Sequence, residues 1–292
     1  MSYSQTVTKK SASNLALAFC ALPKERRLDM CALYAFCRVV DDIADEENTS
    51  VAERRERLRQ CREDLLAVFK GEEPVLEVNK EIKPVIHKYG LAFELFDELL
   101  KGVEMDLEIR RYSTFNELDV YCYRVASVVG LLSIEVFGYK NKLCRDFAIY
   151  LGKAFQYTNI LRDVKNDAQR GRIYIPAQLL EQYGVKEEEI LNGFYSERYF
   201  NVASALAGRA IEYYKRASQS LPPEDKKSMI AAELMGDVYF RLLKKLREKK
   251  FNVFDEQIKL SKLAKTLIAV RAVICAGTGL SFKASYGRNE WD

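Results

Sequence analysis

The stretch that decides the fold is Gln156–Pro176, QYTNILRDVKNDAQRGRIYIP. Wound as a helix, Gln156, Asn159, Asp163 and Asp167 fall at offsets 0, 3, 7 and 11 and share one stripe. In an all-helical protein that stripe should be the apolar seam, yet it carries two acids and two amides. A second such stripe lies far upstream in YAFCRVVDDIAD, where Tyr34, Arg38, Asp41 and Asp45 fall at offsets 0, 4, 7 and 11. One D-x-x-x-D pair on a helix is ordinarily a solvated face. Two pairs, one behind amides and the other behind the apolar run CALYAFC, point to a site assembled between facing helices.

Gathering Asp41, Asp45, Asp163 and Asp167 in one cavity is costly, since two unit charges ~4 Å apart repel by about 4 kcal/mol at an effective dielectric of ~20. Something positive must offset this. Carboxylate and amide oxygens without histidine or thiolate suit a hard cation, and Mg²⁺ favours a few carboxylates plus phosphate oxygens and water. The ligand expected is therefore a phosphorylated molecule held through Mg²⁺, with Arg38 and Arg162 beside the acids as bidentate phosphate clamps.

Outward from these stripes the chain reads as helix after helix. Helices are expected over Ser11–Cys20, Lys24–Asp45, Val51–Lys70, Val75–Tyr89 (broken at Pro84), Ala92–Arg110 and Asn116–Phe137, the last behind a Ser113/Thr114 cap. The central helix spans about Asn141–Ala168, and the irregular loop RGRIYIP stops at Pro176. Short helices at Ala177–Tyr183 and Lys186–Asn192 precede Glu197–Ser220, Pro223–Lys249 and Asp255–Ala276. Alternating patterns are nearly absent, so the fold class is all-α. No linker or repeat divides residues 1–292, which reads as a single domain.

Composition removes several functions. A net charge of +4 is too small and too dispersed for a nucleic-acid partner. Seven cysteines without C-x-x-C spacing fit reduced thiols in a cytoplasmic protein. The single histidine, His87, rules out His-rich metal sites. The N-terminal MSYSQTVTKK has no signal-peptide core, and Lys265 and Arg271 interrupt the apolar Leu263–Phe282 stretch, which argues against a span and leaves peripheral contact at the inner membrane face.

The wording of these motifs resembles the squalene/phytoene synthase family. LYAFCRVVDDIADE and QYTNILRDVKNDAQRGRIYIP are similar to its two aspartate motifs, and YCYRVASVVG (121–130) to its middle motif. The likeness runs from about Ser11 to about Lys265. It implies an isoprenoid-synthase helical fold around a central cavity, and head-to-head (1′-1) condensation of two isoprenyl diphosphates through a cyclopropyl intermediate. Within it, Asp41 and Asp45 match the first metal-binding motif, and Asn159, Asp163 and Asp167 the second. Tyr34, Arg38, Gln156 and Arg162 match diphosphate-lining positions, Tyr239 a C-terminal tyrosine facing a diphosphate, and Tyr121 a tyrosine assisting proton removal. Ser11 falls in the family's N-terminal phosphate-contacting element, although Asn14 and Leu15 stand where Ser and Phe are usual; Ala44 replaces a Glu of some squalene synthases.

The wording is most similar to the bacterial enzymes that condense two farnesyl diphosphates to presqualene diphosphate for hopanoids, without NADPH and ahead of a separate squalene-forming enzyme. Phytoene, dehydrosqualene or squalene synthesis is the alternative. A non-catalytic scaffold would be expected to lose acids from the stripes, and a simple isoprenoid carrier would not need Arg38 and Arg162 beside them. The Arg170-Gly171-Arg172 loop reads equally as a lid over the phosphates or as a solvated turn.

Overall fold

A computed structural model describes residues 2–10, 18–278 and 282–287. Among them there is no strand beyond one isolated bridge, Arg111 to Ile173. The helices are α1 (Tyr3–Lys10), α2 (Lys24–Asp45), α3 (Val51–Phe69), α4 (Glu77–Tyr89), α5 (Phe93–Glu108), α6 (Phe115–Phe137), α7 (Leu143–Gln169), α8 (Ala177–Gln182), α9 (Glu187–Leu191), α10 (Glu197–Ser220), α11 (Ile230–Glu248) and α12 (Lys262–Thr278).

Local chemistry sets most boundaries. Ser50 and Glu53 form a reciprocal capping box at α3, Ser196 caps α10, and Thr114 accepts from Glu117 N–H at α6. Gly90, at φ 61°, closes α4 in the left-handed conformation that a side chain would resist. Four expectations need correction, the first being the helix expected from Pro223, which starts only at Ile230 behind a 3₁₀ turn at Pro223–Asp225. Pro84 does not break α4: it and Lys80, whose carbonyl loses a donor, are both exposed, so water can serve the freed group. The last helix starts at Lys262, with residues 257–261 non-helical. α1 was not anticipated; Glu81 of α4 caps it, accepting from Tyr3 and Ser4 N–H at 2.8 and 2.7 Å. Most of the Ser11–Cys20 expectation lies outside the described residues; Phe19–Ala21 is a 3₁₀ turn.

α7 is the axis. Its apolar face buries Tyr157 and Leu161 against α10, where Tyr157 and Tyr213 rings meet at 5.6 Å and Thr158 bonds Tyr214 at 3.2 Å. On its other side lies α6, which is long and apolar enough to cross a membrane but is half buried and packed between α5 and α7. α6 carries a π-helical turn at Tyr123–Ser127, a widening often found at functional sites. Two glycines admit that turn: a Cβ on Gly102 of α5 would stand 2.6 Å from Arg124 Cβ, and one on Gly152 of α7 would stand 2.6 Å from Ser127 Cα. Ser127 donates to Ile149 O at 2.7 Å, tying the turn to α7. This seating turns Tyr121, Val125 and Val129 toward one chamber.

Candidate active site

The two stripes meet at one space through Asp41 and Asp163, whereas Asp45 and Asp167 lie outside its lining, Asp45 against Arg170 and Arg172. A cavity of about 480 Å³ is walled by Tyr34, Arg38 and Asp41 from α2, by Gln156, Asn159, Arg162 and Asp163 from α7, by Asp106 from α5, by Tyr121 from α6 and by Tyr239 from α11. It continues past Phe155, Val129 and Met235 into an apolar recess of about 90 Å³ lined by Phe19, Met30, Ile134 and Phe137. The chamber is thus polar at one end and hydrocarbon-like at the other.

At the polar end the acids are crowded and unevenly matched. Asp41 is half accessible to the cavity but deep within its walls; burial and the neighbouring Asp45 push its pKa up to about 6. Burial and Asp163 likewise raise Asp167 to about 7. Arginines stand among them. Arg38 pairs with Asp41 at 3.0 Å and also with Asp42; Arg162 donates through Nε to Asp163 at 2.8 Å. Arg170 and Arg172 reach Asp45 at 3.1 and 3.3 Å. The RGR loop is therefore latched onto α2, with Arg172 largely buried and only Arg170 substantially exposed.

Among the described residues no three acids converge into a ready-made metal cage. The donor chemistry still suits a hard cation: carboxylates from two helices face one chamber, and the buried Oδ1 of Asn159 has no hydrogen-bond partner, its Nδ2 turning instead to Gln156 Oε1 at 3.4 Å. Such a cation would need phosphate or water oxygens to span the two helices.

Tyr121 is buried, and its hydroxyl donates to Asp106 Oδ2 at 2.9 Å; Tyr174 donates to Asp106 Oδ1 at 2.6 Å. Burial and the Asp106 charge raise the Tyr121 pKa well above the ordinary value, so at neutral pH it is a donor, not a tyrosinate base. Tyr239 lies over Phe155 with ring centroids 4.6 Å apart, close enough to Arg162 for the two to interact. Ser11 lies outside the described residues.

Sequence reading missed Asp106, Tyr174 and Lys265. Asp106 could have been found, because Leu99, Val103 and Asp106 form a stripe of the same spacing, apolar until its last member. Tyr174 comes from a loop without periodicity. Lys265, on α12, is near enough to Arg162 that this charge adds to burial in lowering its pKa, a relation between positions far apart in sequence.

The sequence profile of squalene/phytoene synthases matches residues 8–264. A presqualene diphosphate synthase from Rhodopseudomonas palustris is 32% identical over 263 residues, covering 90% of this chain and 93% of that protein. A phytoene synthase from Mycobacterium bovis is 31% identical over 280 residues, covering 94% and 90%. The crystal structure of a dehydrosqualene synthase in complex with ligand superposes with a TM-score of 0.84 at 28% identity, covering 94% of this chain and 96% of the other. Profile, relatives and fold agree on one placement: the chain belongs to the squalene/phytoene synthase family.

Proposed function

We propose that this prenyltransferase condenses two farnesyl diphosphates head to head into presqualene diphosphate, with loss of one diphosphate and with Mg²⁺ as cofactor. The observation that carries the reading is the chamber itself, with two acid-bearing helices at one end and an apolar recess at the other. Asp41 and Asp45 from α2, and Asn159, Asp163 and Asp167 from α7, would hold Mg²⁺. When bound, the metal supplies Lewis-acid neutralisation of the leaving diphosphate.

The remaining work falls to the chain. Arg38 and Arg162 exchange their carboxylate partners for diphosphate oxygens, supported by Gln156, Tyr239 and Lys265. The rings of Tyr34, Tyr121 and Phe155 line the space where an allylic cation would form, and aromatic faces stabilise such charge. Tyr121, held by Asp106, orients the cyclopropane-forming centre, and the proton lost there goes to the departing diphosphate. The apolar recess excludes the water that would trap the cation.

The choice of a C15 substrate rests on relatives that carry the presqualene name and on the wording of the motifs. Phytoene synthases match nearly as well, so condensation of two C20 chains is the second reading. Incubation with Mg²⁺ and each prenyl diphosphate, followed by pyrophosphate assay and product identification, separates them. Farnesyl diphosphate should give presqualene diphosphate, unchanged by NADPH, for a downstream squalene-forming enzyme. Turnover with geranylgeranyl diphosphate alone would overturn the substrate assignment.

A further inference from the structure

α12 is apolar on two opposite sides. Ile268, Ala269 and Ala272 are buried against the body, as the core requires. On the opposite side, Leu263, Leu267, Val270 and Ile274 fall at offsets 0, 4, 7 and 11, a single stripe, and are 70%, 62%, 49% and 55% exposed. Scattered exposed leucines need no explanation, but four large aliphatics in one row do.

The charge around the stripe selects its occupant. From Gln257 to Gly287 the chain carries Lys259, Lys262, Lys265, Arg271 and Lys283 and no acid. Beside α12 opens a groove of about 780 Å³, walled by its Val273, Ala276 and Gly277 and by Arg26, Lys140 and Lys227. Two acids also line it: Asp225 accepts from the backbone N–H of Lys140 and Asn141, and Glu224 accepts from Asn141 Nδ2. A second copy of the chain meeting this face would bring like charge to like charge. An anionic bilayer offers both an apolar interior and negative headgroups.

We propose that α12 seats the protein on an anionic lipid surface, with Leu263, Leu267, Val270 and Ile274 entering the acyl boundary and Lys259, Lys262 and the groove lysines meeting headgroups. The position suits the chemistry proposed above, and to that extent rests on it. α12 packs on the Phe19–Ala21 turn and on α11, both walls of the apolar recess, and Phe137 lines both the recess and the groove. A hydrocarbon-tailed molecule would have a short way between chamber and lipid.

The test needs no substrate. The full chain should co-sediment with vesicles of phosphatidylcholine and phosphatidylglycerol, bind pure phosphatidylcholine far less, and release as salt rises. Leu267→Glu and Ile274→Glu should each lower the bound fraction about tenfold or more, because each replaces a buried-in-lipid aliphatic by a charge. Both should keep wild-type circular dichroism and pyrophosphate release in detergent. Lys259→Glu with Lys262→Glu should weaken binding only to the anionic vesicles. Undiminished binding by the two stripe variants overturns the proposal. So does a wild-type dimer in sedimentation velocity that Leu267→Glu dissolves, without vesicle binding. Loss of turnover with vesicle binding intact would instead strike the proposed reaction and leave the docking face standing.

Discussion

Two acid-rich regions of this molecule use the same side chains to opposite ends. On α3, Arg59 pairs with Glu56 at 2.6 Å and with Glu63, Gln60 adds a bond to Glu56, and all are open to water. There the Arg59 and Gln60 hydrogen bonds pull the Glu56 pKa down to about 2. At and beside the chamber Asp41 and Asp167 go the other way, raised by burial and by Asp45 and Asp163 respectively, even with Arg38, Arg172 and Arg170 opposing the shift. Matched and solvated charges decorate a helix, whereas crowded and desolvated ones carry a cost that the proposed Mg²⁺ would relieve.

The contrast can be broken most forcefully in the chamber. Asp41→Ala and Asp163→Ala should each lower turnover by on the order of 10²–10³-fold or more, measured as pyrophosphate release, with the helical circular-dichroism signal unchanged. Asp106→Asn should cost less, about 10–100-fold, because it only positions Tyr121 and Tyr174; binding of magnesium pyrophosphate by calorimetry should survive it.

A buried acid outside the chamber's lining sharpens the comparison. Glu233 on α11 is nearly enclosed, its Oε2 has no hydrogen-bond partner, and burial raises its pKa from 4.5 to about 7. Lys226 opposes that shift, and Asp237 and Tyr286 also face this group. A carboxyl with a raised folded pKa binds more protons folded than unfolded, so stability falls as pH rises from about 4.5 to about 7. Glu233→Gln should remove that loss, roughly 2–4 kcal/mol, and raise Tm by several degrees at pH 8 with little change near pH 4. At the far end of the scale, Arg59→Ala should leave turnover untouched and move Tm by about 2 °C or less, since exposed pairs contribute little.

Periodicity carried much of this architecture. Lys24–Asp45 and Glu197–Ser220 run over the spans that apolar spacing put them at, and one acid from each stripe, Asp41 and Asp163, lines the same chamber. What it could not carry were relations between distant segments. Nothing in MSYSQTVTKK announces a helix whose N-terminal cap is Glu81. Arg172 latches Asp45 from an aperiodic loop, and Lys265 approaches Arg162 only through tertiary packing. Pro84 misled because its cost depends on which way the orphaned carbonyl faces, which is a property of the fold.

On the proposed function, α2 and α7 share one diphosphate site. Thermal-shift titration with Mg²⁺ and inorganic pyrophosphate tests it directly on the wild type, Asp41→Asn and Asp163→Asn. Mg²⁺ and pyrophosphate together should raise the wild-type Tm well beyond either alone, and both variants should lose that joint effect. Retention of the full joint shift in either variant would show that the two helices do not serve one site.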